Sequence, residues 1–154
     1  MTAPSYETHM VLRDAILQDA GAVARLSAEL GYPTTESAVR SRLASIANDG
    51  EFARHVVLVA DVNAEVVGWI EVVIETTVVS DAQAEILGMV VDGRHRGKGV
   101  GSMLLSRAEE WARERGVRRI RVRSNVVRER THEFYLERGN TETKRQVVFQ
   151  KDLR

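Results

Sequence analysis

A glycine-rich segment with two basic residues, Arg96 to Gly101, carries the clearest chemical signal in this sequence. It follows an apolar run, Ile86 to Val91, and leads into an amphipathic stretch, Ser102 to Arg115. A strand, a glycine loop and a helix start in this order bring several backbone N–H groups to one place, and glycine permits the close approach. The helix N-terminus adds unpaired donors and about half a positive charge. The pattern predicts a phosphate or pyrophosphate site, the alternative being a tight turn with solvated cations.

The spacing of the glycines excludes two common phosphate motifs. A Walker loop needs four residues between its first glycine and Gly-Lys-Ser/Thr, but Gly93 and Gly97 are separated by three, and Lys98 is followed by a glycine. A dinucleotide fingerprint needs G-x-G-x-x-G after a first strand. Gly97, Gly99 and Gly101 give G-x-G-x-G instead, late in the chain.

Composition is that of an ordinary globular chain. The 154 residues are 44% hydrophobic and 29% charged, which predicts one domain over residues 1–154. Lys plus Arg equals Asp plus Glu, so the overall charge favours neither nucleic acid nor a membrane as partner. The absence of cysteine excludes disulfides and thiolate chemistry. The polar stretch Met1 to His9 does not resemble a signal peptide, and we expect a soluble cytoplasmic protein.

Apolar spacing predicts alternating strands and helices in the order β-α-α-β-β-β-α-β-α-β. Helices are predicted from an Asp19 N-cap to Gly31, from a Thr35 N-cap to Ile46, from Val100 to Gly116, and from Val127 to Gly139. Strands are predicted at His9–Arg13, His55–Asp61, Val66–Thr76, Ala84–Val91, Arg119–Arg123 and Val147–Phe149. A turn around Asn63 and a polar break at Ser80–Gln83 separate the central strands. The order predicts an α/β domain with a mixed sheet.

The loop resembles the acyl-CoA loop of the GNAT N-acetyltransferases, whose pattern Arg/Gln-x-x-Gly-x-Gly/Ala is met by Arg96, Gly99 and Gly101. A later motif of that family is similar to Ser124-Asn125 followed by Glu133 to Gly139. The resemblance implies a GNAT-type mixed, mostly antiparallel sheet flanked by helices. Two positions depart from it, because Asn140 stands where an aromatic is usual and Gly93 where proline is common.

The resemblance implies that acetyl-CoA is the co-substrate, with its pyrophosphate on the loop amides. The backbone amides of Met89 and Val91 would contact the pantetheine arm, and the Met89 N–H would polarise the acetyl carbonyl. The cofactor-binding residues expected on this basis are Met89, Val90, Val91, Arg96, Gly97, Lys98, Gly99, Val100, Gly101, Ser102 and Asn125. For Asn125, a helix N-cap is an equal explanation.

Acetyl transfer to an amine also needs a proton donor for the leaving thiolate and a route for the amine proton. Tyr135 is the expected donor, since a phenol with a pKa near ~10 is protonated at neutral pH and the resemblance places it beside the thioester sulfur. A core aromatic is its alternative role. Glu85 is the candidate base, directly or through water, and a solvated strand acid is the alternative. Glu71 and Glu75, at positions i and i+4 of one strand and so on the same face, could bind a cationic acceptor or form the polar side of a half-exposed strand.

Several function classes remain to be weighed. The four histidines, His9, His55, His95 and His132, have no metal-ligand spacing, so no metal is expected. Glu114, Glu129 and Glu133 interrupt the positive charge of the arginines in 118–130, which also lack interleaved aromatics, so nucleic acid is disfavoured as a partner. The expected partner is an amine acceptor, most simply a small molecule. A protein lysine or N-terminus, or a catalytically silent CoA-binding module, are the alternatives, and a homodimer is common in such proteins.

Overall fold

The structure, a computed structural model, describes residues 9–46, 52–124 and 126–154. By its internal contacts the chain divides into two units, Met1–Arg123 and Ser124–Arg154. The first unit contains a five-stranded sheet among its described residues, with strands in the order β1-β2-β3-β4-β5. These strands are β1 Met10–Asp14, β2 His55–Val62, β3 Glu65–Thr77, β4 Ser80–Val91 and β5 Ile120–Val122.

Pairing in this sheet is mostly antiparallel. The pairs β1–β2, β2–β3 and β3–β4 are antiparallel, and only β4–β5 is parallel. In the described part of the same unit there are three α-helices: α1 Ala20–Glu29, α2 Glu36–Ser45 and α3 Val100–Glu114. The parallel pair follows from the chain order, because α3 is the crossover between β4 and β5. The predicted mixed, mostly antiparallel sheet flanked by helices is therefore confirmed.

Local sequence signals explain where most of these elements begin and end. The Thr35 hydroxyl accepts the N–H of Ala38 and caps α2, as predicted. Gly31 follows α1 with φ +97°, a conformation that glycine adopts without strain. Asn63 and Ala64 both have positive φ, 51° and 68°, which is the tight-turn geometry that joins twisted antiparallel strands.

The sheet buries both faces. Val57, Val59, Trp69 and Val90 lie in one cluster with residues of α1 and α2, among them Leu26. Alternate residues face α3: a Cβ on Gly68 would lie 3.1 Å from the Leu104 side chain and 3.4 Å from that of Val100. Gly68 therefore lets the first turn of α3 lie close against β3.

The second unit contains α4, Glu129–Glu137. Gly139, with φ +87°, follows it, as the sequence predicted. The Asn140 N–H and side-chain amide both donate to the Tyr135 carbonyl, at 3.0 Å each, so this residue closes the helix where the resemblance would place an aromatic. Beyond it, residues 141–154 are all exposed and contain no helix or strand.

Four details of the predicted elements are wrong. Val147–Phe149 forms no strand, because β-branched composition gives a strand only where a partner strand supplies hydrogen bonds, and none of the described strands pairs with it. Ser80–Gln83 is not a break but the start of β4, since backbone pairing of Thr77 with Ser80 and Glu75 with Gln83 extends the hairpin past the core. Val127 precedes α4 instead of lying in it.

The fourth detail concerns Asp19, which stands directly before α1 but does not cap that helix with its side chain. Its carboxylate accepts the Ile16 N–H at 2.8 Å, closing the turn that precedes α1. Two nitrogens of Arg13 donate to the same carboxylate at 2.7 and 3.0 Å. The acid at this position therefore joins β1 to the turn.

Candidate active site

An extra residue in β4 reverses the direction of its backbone amides halfway along the strand. Glu71 of β3 pairs with Gly88, while its neighbour Val72 pairs with Ile86, so Leu87 is a β-bulge. Before the bulge, the Ala84 N–H donates towards β5, to the Arg119 carbonyl at 2.9 Å. After it, the Asp92 N–H donates towards β3, to the Val67 carbonyl at 2.7 Å.

This reversal directs two amides to an open edge. N–H groups alternate along a strand, and because that of Asp92 points to β3, those of Met89 and Val91 point the other way. On that side β5 ends with the pair Ile86–Val122, and no described strand pairs with Leu87–Val91 there. The Val91 carbonyl, on the same edge, accepts the Arg96 Nε at 3.1 Å. The backbone amides that the resemblance assigned to the pantetheine arm thus face this edge.

The glycine loop follows directly and leads into α3. Gly97 and Gly99 have φ of +76° and +84°, so a side chain at either position would be strained. A Cβ at either position would meet nothing within 4 Å, which leaves the loop backbone accessible. The first intrahelical bond runs from the Met103 N–H to the Gly99 carbonyl. The N–H groups of Val100 and Gly101 precede it and have no carbonyl in a preceding turn.

The start of the loop is tied to α1 by residues that the sequence did not reveal. Asp92 is 2% exposed, and its carboxylate accepts the Arg94 N–H at 2.9 Å and an Arg25 guanidinium nitrogen at 3.0 Å. The Arg94 guanidinium lies at 3.3–3.4 Å from the same carboxylate. Hydrogen bonds from the Arg94 side chain and backbone, and then from Arg25, hold the pKa of Asp92 well below its ordinary value, against the opposing effect of burial.

Glu29 of α1 makes a second tie. One carboxylate oxygen accepts the Gly93 N–H at 3.2 Å and lies 3.8 Å from the Arg96 guanidinium. Arg25 and Glu29 of α1 are separated by more than 60 positions in the chain from the loop residues that they contact. Contacts between such distant residues cannot be inferred from local spacing. Neither Asp92 nor its partner on α1 was singled out from the sequence.

Glu85 is buried, and both of its carboxylate oxygens are paired. Arg121 lies 3.1 Å from one oxygen and the Arg123 Nε lies 3.2 Å from the other. Glu85 is therefore not the solvated acid of the alternative interpretation, and Arg121 and Arg123 are engaged by it. A carboxylate oxygen can accept more than one hydrogen bond, so the two arginines do not exhaust the acceptor capacity of Glu85.

Two further acids share the face of the sheet that carries Glu85. The Glu71 carboxylate lies 2.8 Å from the His55 Nε2, and Glu75 lies 3.9 Å from Arg121. Strand alternation and the pairing of His55 with Val73 and of Val73 with Glu85 place all of these side chains on one face. The result is a partly exposed polar area beside the bulge.

Tyr135 lies in the second unit, on α4. The residue is 7% exposed, and its ring makes an edge-on contact with Phe134, with 5.2 Å between ring centroids. The Arg138 guanidinium lies 3.6 Å from the Phe134 ring centroid. Burial raises the pKa of Tyr135 to about 12, so the phenol keeps its proton throughout the range in which proteins work. Asn125 lies outside the described residues.

The structure thus gathers most of the predicted cofactor residues. Met89, Val90 and Val91 end β4, and the segment from Arg96 to Ser102 forms the loop and the first turn of α3. Glu85 lies earlier on the same strand, across the bulge. Among the described residues, no three His, Asp or Glu side chains are grouped as metal ligands would be, and no described helix is long and apolar enough to cross a membrane.

A bulged strand, an accessible glycine loop and a helix N-terminus together form an arrangement suited to binding a phosphate-bearing ligand. The model of the acetyltransferase (GNAT) family matches residues 23–139. The chain belongs to the GNAT acetyltransferase family and is an acyltransferase. A search of curated proteins found no match.

Solved structures share this fold at low sequence identity. A transcriptional regulator from Bacillus halodurans is 22% identical with a TM-score of 0.82, covering 93% of this chain and 100% of its own. Glucosamine-6-phosphate N-acetyltransferase from Arabidopsis thaliana is 20% identical with a TM-score of 0.77, covering 93% and 99%. An aminoglycoside N-acetyltransferase in complex with CoA is 17% identical with a TM-score of 0.80, covering 94% and 96%.

Proposed function

We propose that this protein transfers the acetyl group of acetyl-CoA to a primary amine of a small molecule, by direct attack within a ternary complex. The observation that carries the proposal is the bulge at Leu87, which turns the Met89 and Val91 amides to the open edge of β4. An extended pantetheine chain carries amide groups and can lie beside a strand edge like an added strand. It would hydrogen-bond the part of β4 beyond Ile86, where β5 no longer pairs with β4.

The loop fits a pyrophosphate. Its glycines leave open space where side chains would block access, and the amides of Val100 and Gly101 lie at the positive end of α3. Arg96 and Lys98 supply cationic side chains in the same short segment. Gly97, Gly99 and Ser102 complete the set that we assign to acetyl-CoA, together with Val90 on the strand and Asn125.

Each residue has a separate task in the proposed reaction. The Met89 N–H donates to the thioester carbonyl oxygen and stabilises the negative charge that develops there. The amine nitrogen forms a bond to the carbonyl carbon, and the carbon–sulfur bond then breaks. Tyr135 gives its proton to the departing thiolate, which yields CoA as a free thiol. A phenol with a raised pKa holds that proton until the thiolate forms.

The amine must also lose a proton. We assign this step to Glu85, through a water that takes up the remaining lone-pair direction of its carboxylate. The two arginine partners, at 3.1 and 3.2 Å, fix the carboxylate and reduce its room to move. A water relay therefore suits this buried acid better than direct contact with the amine.

The acceptor is proposed to be a small cationic amine. Glu71 and Glu75 add carboxylates on the face that carries Glu85, and Glu75 is 47% exposed. A partly exposed carboxylate attracts an ammonium group. One structure with the same fold is an aminoglycoside N-acetyltransferase, which supports the choice of a small-molecule acceptor.

The deciding experiment measures acetyl-CoA turnover as free thiol across a panel of amines. The panel contains aminoglycosides, polyamines, amino acids and amino sugars, beside peptides with only a lysine amine or only an N-terminal amine. We expect turnover with a small amine. Turnover confined to the peptides would establish the protein-directed alternative, and CoA binding with no turnover on any amine would establish a silent module.

A substitution in the loop tests where CoA binds. Gly99→Asp places bulk and a negative charge where the amides meet the pyrophosphate, so calorimetry should detect no acetyl-CoA binding. Gly116→Asp is the matched control, because Gly116 has a φ of +74° and open surroundings at the other end of α3. Undiminished binding by Gly99→Asp, or equal loss in both variants, would refute the proposed cofactor site.

A further inference from the structure

The first residues of the loop are held by protein groups on both sides. The Gly93 N–H donates to Glu29, the Arg94 N–H to the Asp92 carboxylate, and the His95 N–H to the Asp92 carbonyl. The donated bonds are 3.2, 2.9 and 2.9 Å long. These three amides point at acceptors within the protein, so the phosphate-binding amides lie later in the loop.

Asp92 is the centre of this arrangement. Its carboxylate is bound by Arg25 of α1 at 3.0 Å and by the backbone and guanidinium of Arg94. Arg94 also lies 2.9 Å from Glu65, at the start of β3. We call Arg25, Glu29, Asp92 and Arg94 the Asp92 brace. It connects the end of β4 to α1 and β3, two elements that are fixed in the core.

The brace matters because the loop it holds is intrinsically costly to order. Glycine loses more conformational freedom on ordering than any other residue, and Gly93, Gly97 and Gly99 fall within seven positions. If the loop were mobile in the free protein, part of the binding free energy would be used to order it, which weakens affinity. A loop whose first half is already fixed leaves less to be ordered.

We propose that Asp92 is a positioning residue for acetyl-CoA: through the brace it fixes the start of the glycine loop and so sets the affinity of the later loop amides for the pyrophosphate. The proposal rests on the proposed function for the identity of the ligand. Asp92 itself contacts no substrate, because its carboxylate is buried and occupied by Arg25 and Arg94.

The test compares Asp92→Asn with Asp19→Asn. Both replace a buried carboxylate that an arginine binds, 2% and 6% exposed respectively, but Asp19 is joined to Arg13 and β1. Amide hydrogen exchange of residues 93–99 in the protein without ligand is the first measurement. Exchange should rise about tenfold or more in Asp92→Asn and stay at the parental rate in Asp19→Asn.

The second measurement separates positioning from general destabilisation. With a turned-over amine, Asp92→Asn should raise the KM for acetyl-CoA about tenfold, while kcat at saturating acetyl-CoA stays within about twofold of the parent. Arg25→Gln removes the same contact from the side of α1 at a partly exposed residue, 44% exposed, and should produce the same split. If Asp92→Asn fails to fold, the Arg25→Gln variant alone tests whether the brace positions the loop.

The outcomes are distinguishable. Parental loop exchange in both Asp92→Asn and Arg25→Gln, or an equal rise in Asp19→Asn, would overturn the positioning role whatever the ligand is. If the parent binds no acetyl-CoA, the proposed function fails, and the exchange measurement still decides whether the brace fixes the loop.

Discussion

At the scale of single residues, Tyr135 carries the greatest functional weight, because it is the donor that we assign to the leaving thiolate. The sequence pointed to it through the motif around Phe134, and the structure shows a buried phenol whose pKa burial raises to about 12. A buried phenol that keeps its proton is compatible with both interpretations of Tyr135, a packed aromatic and a proton donor. The two interpretations of this tyrosine make different kinetic predictions.

Tyr135→Phe keeps the ring and removes the hydroxyl. It should fold and bind acetyl-CoA about as well as the parent, while kcat and kcat/KM both fall by roughly 10²-fold, the usual scale for loss of a general acid. Steady-state kinetics with the acceptor found in the amine panel measures this. Tyr32→Phe is the control, since Tyr32 is 67% exposed. A Tyr135→Phe variant that keeps more than about half of the parental kcat would show that Tyr135 only packs.

The raised pKa of Tyr135 also predicts how the free energy of unfolding changes with pH. Between the ordinary phenol value of 10 and about 12, the unfolded chain releases the Tyr135 proton while the folded chain keeps it. The contribution of this group to stability is therefore whole below pH 10 and is lost as the pH rises towards 12. Denaturant unfolding of the parent should show this loss, and Tyr135→Phe should lack it.

Residues whose role is local could be predicted from the sequence, and residues whose role depends on distant partners could not. Gly97 and Gly99 were predictable because the loop backbone needs positive φ there, whatever surrounds it. Asp92 and Arg25 meet across 67 positions of chain, and no periodicity reports such a contact. The pairing of Glu85 with Arg121 and Arg123 was equally hidden, because it depends on the parallel register of β4 and β5.

At the scale of elements, the turn between β2 and β3 shows a conflict between residue type and geometry. Both turn residues have positive φ, and Ala64, at 68°, is the residue for which this conformation is costly. Asn-Gly is the favoured pair for such a turn. Ala64→Gly should therefore raise the free energy of unfolding by about 0.5–1 kcal/mol.

Chemical denaturation checks this prediction, with Ala28→Gly as the control. Ala28 is exposed near the end of α1 and has ordinary helical geometry, so the same substitution should lower the free energy of unfolding by about 0.5–1 kcal/mol. If Ala64→Gly does not raise the free energy of unfolding, the turn accommodates Ala64 without cost and the prediction is wrong.

Element types were predicted well because hydrophobic spacing is a local property. The errors in element bounds arose where strand pairing determines the backbone conformation. The bulge at Leu87 depends on the register between β3 and β4, and Ser80–Gln83 joins β4 because Glu75 and Thr77 extend opposite it. In both places the partner strand determines the backbone, and a single segment of sequence does not contain that information.

At the scale of the whole molecule, residues 147–153 of the second unit expose several large apolar side chains. The sheet of the first unit buries its central side chains completely, among them Leu58, Ile70 and Val72. In the second unit, Val147, Val148, Phe149 and Leu153 are 76–91% exposed. Exposed large apolar side chains are typical of interaction sites, so these residues are the ones on which we test the predicted homodimer.

We therefore expect the protein to be a homodimer at micromolar concentration, with these C-terminal side chains covered by the partner. Sedimentation velocity across a concentration series measures the state, and Val147→Ser with Phe149→Ser should shift it towards monomer because two large apolar side chains are removed from the contact. Val78→Ser with Val79→Ser is the control, since both valines are at least 92% exposed at the β3–β4 turn. A parent that sediments as a monomer throughout, or a control pair that dissociates equally, would contradict the prediction. In that event the exposed apolar residues of 147–153 would need a different partner.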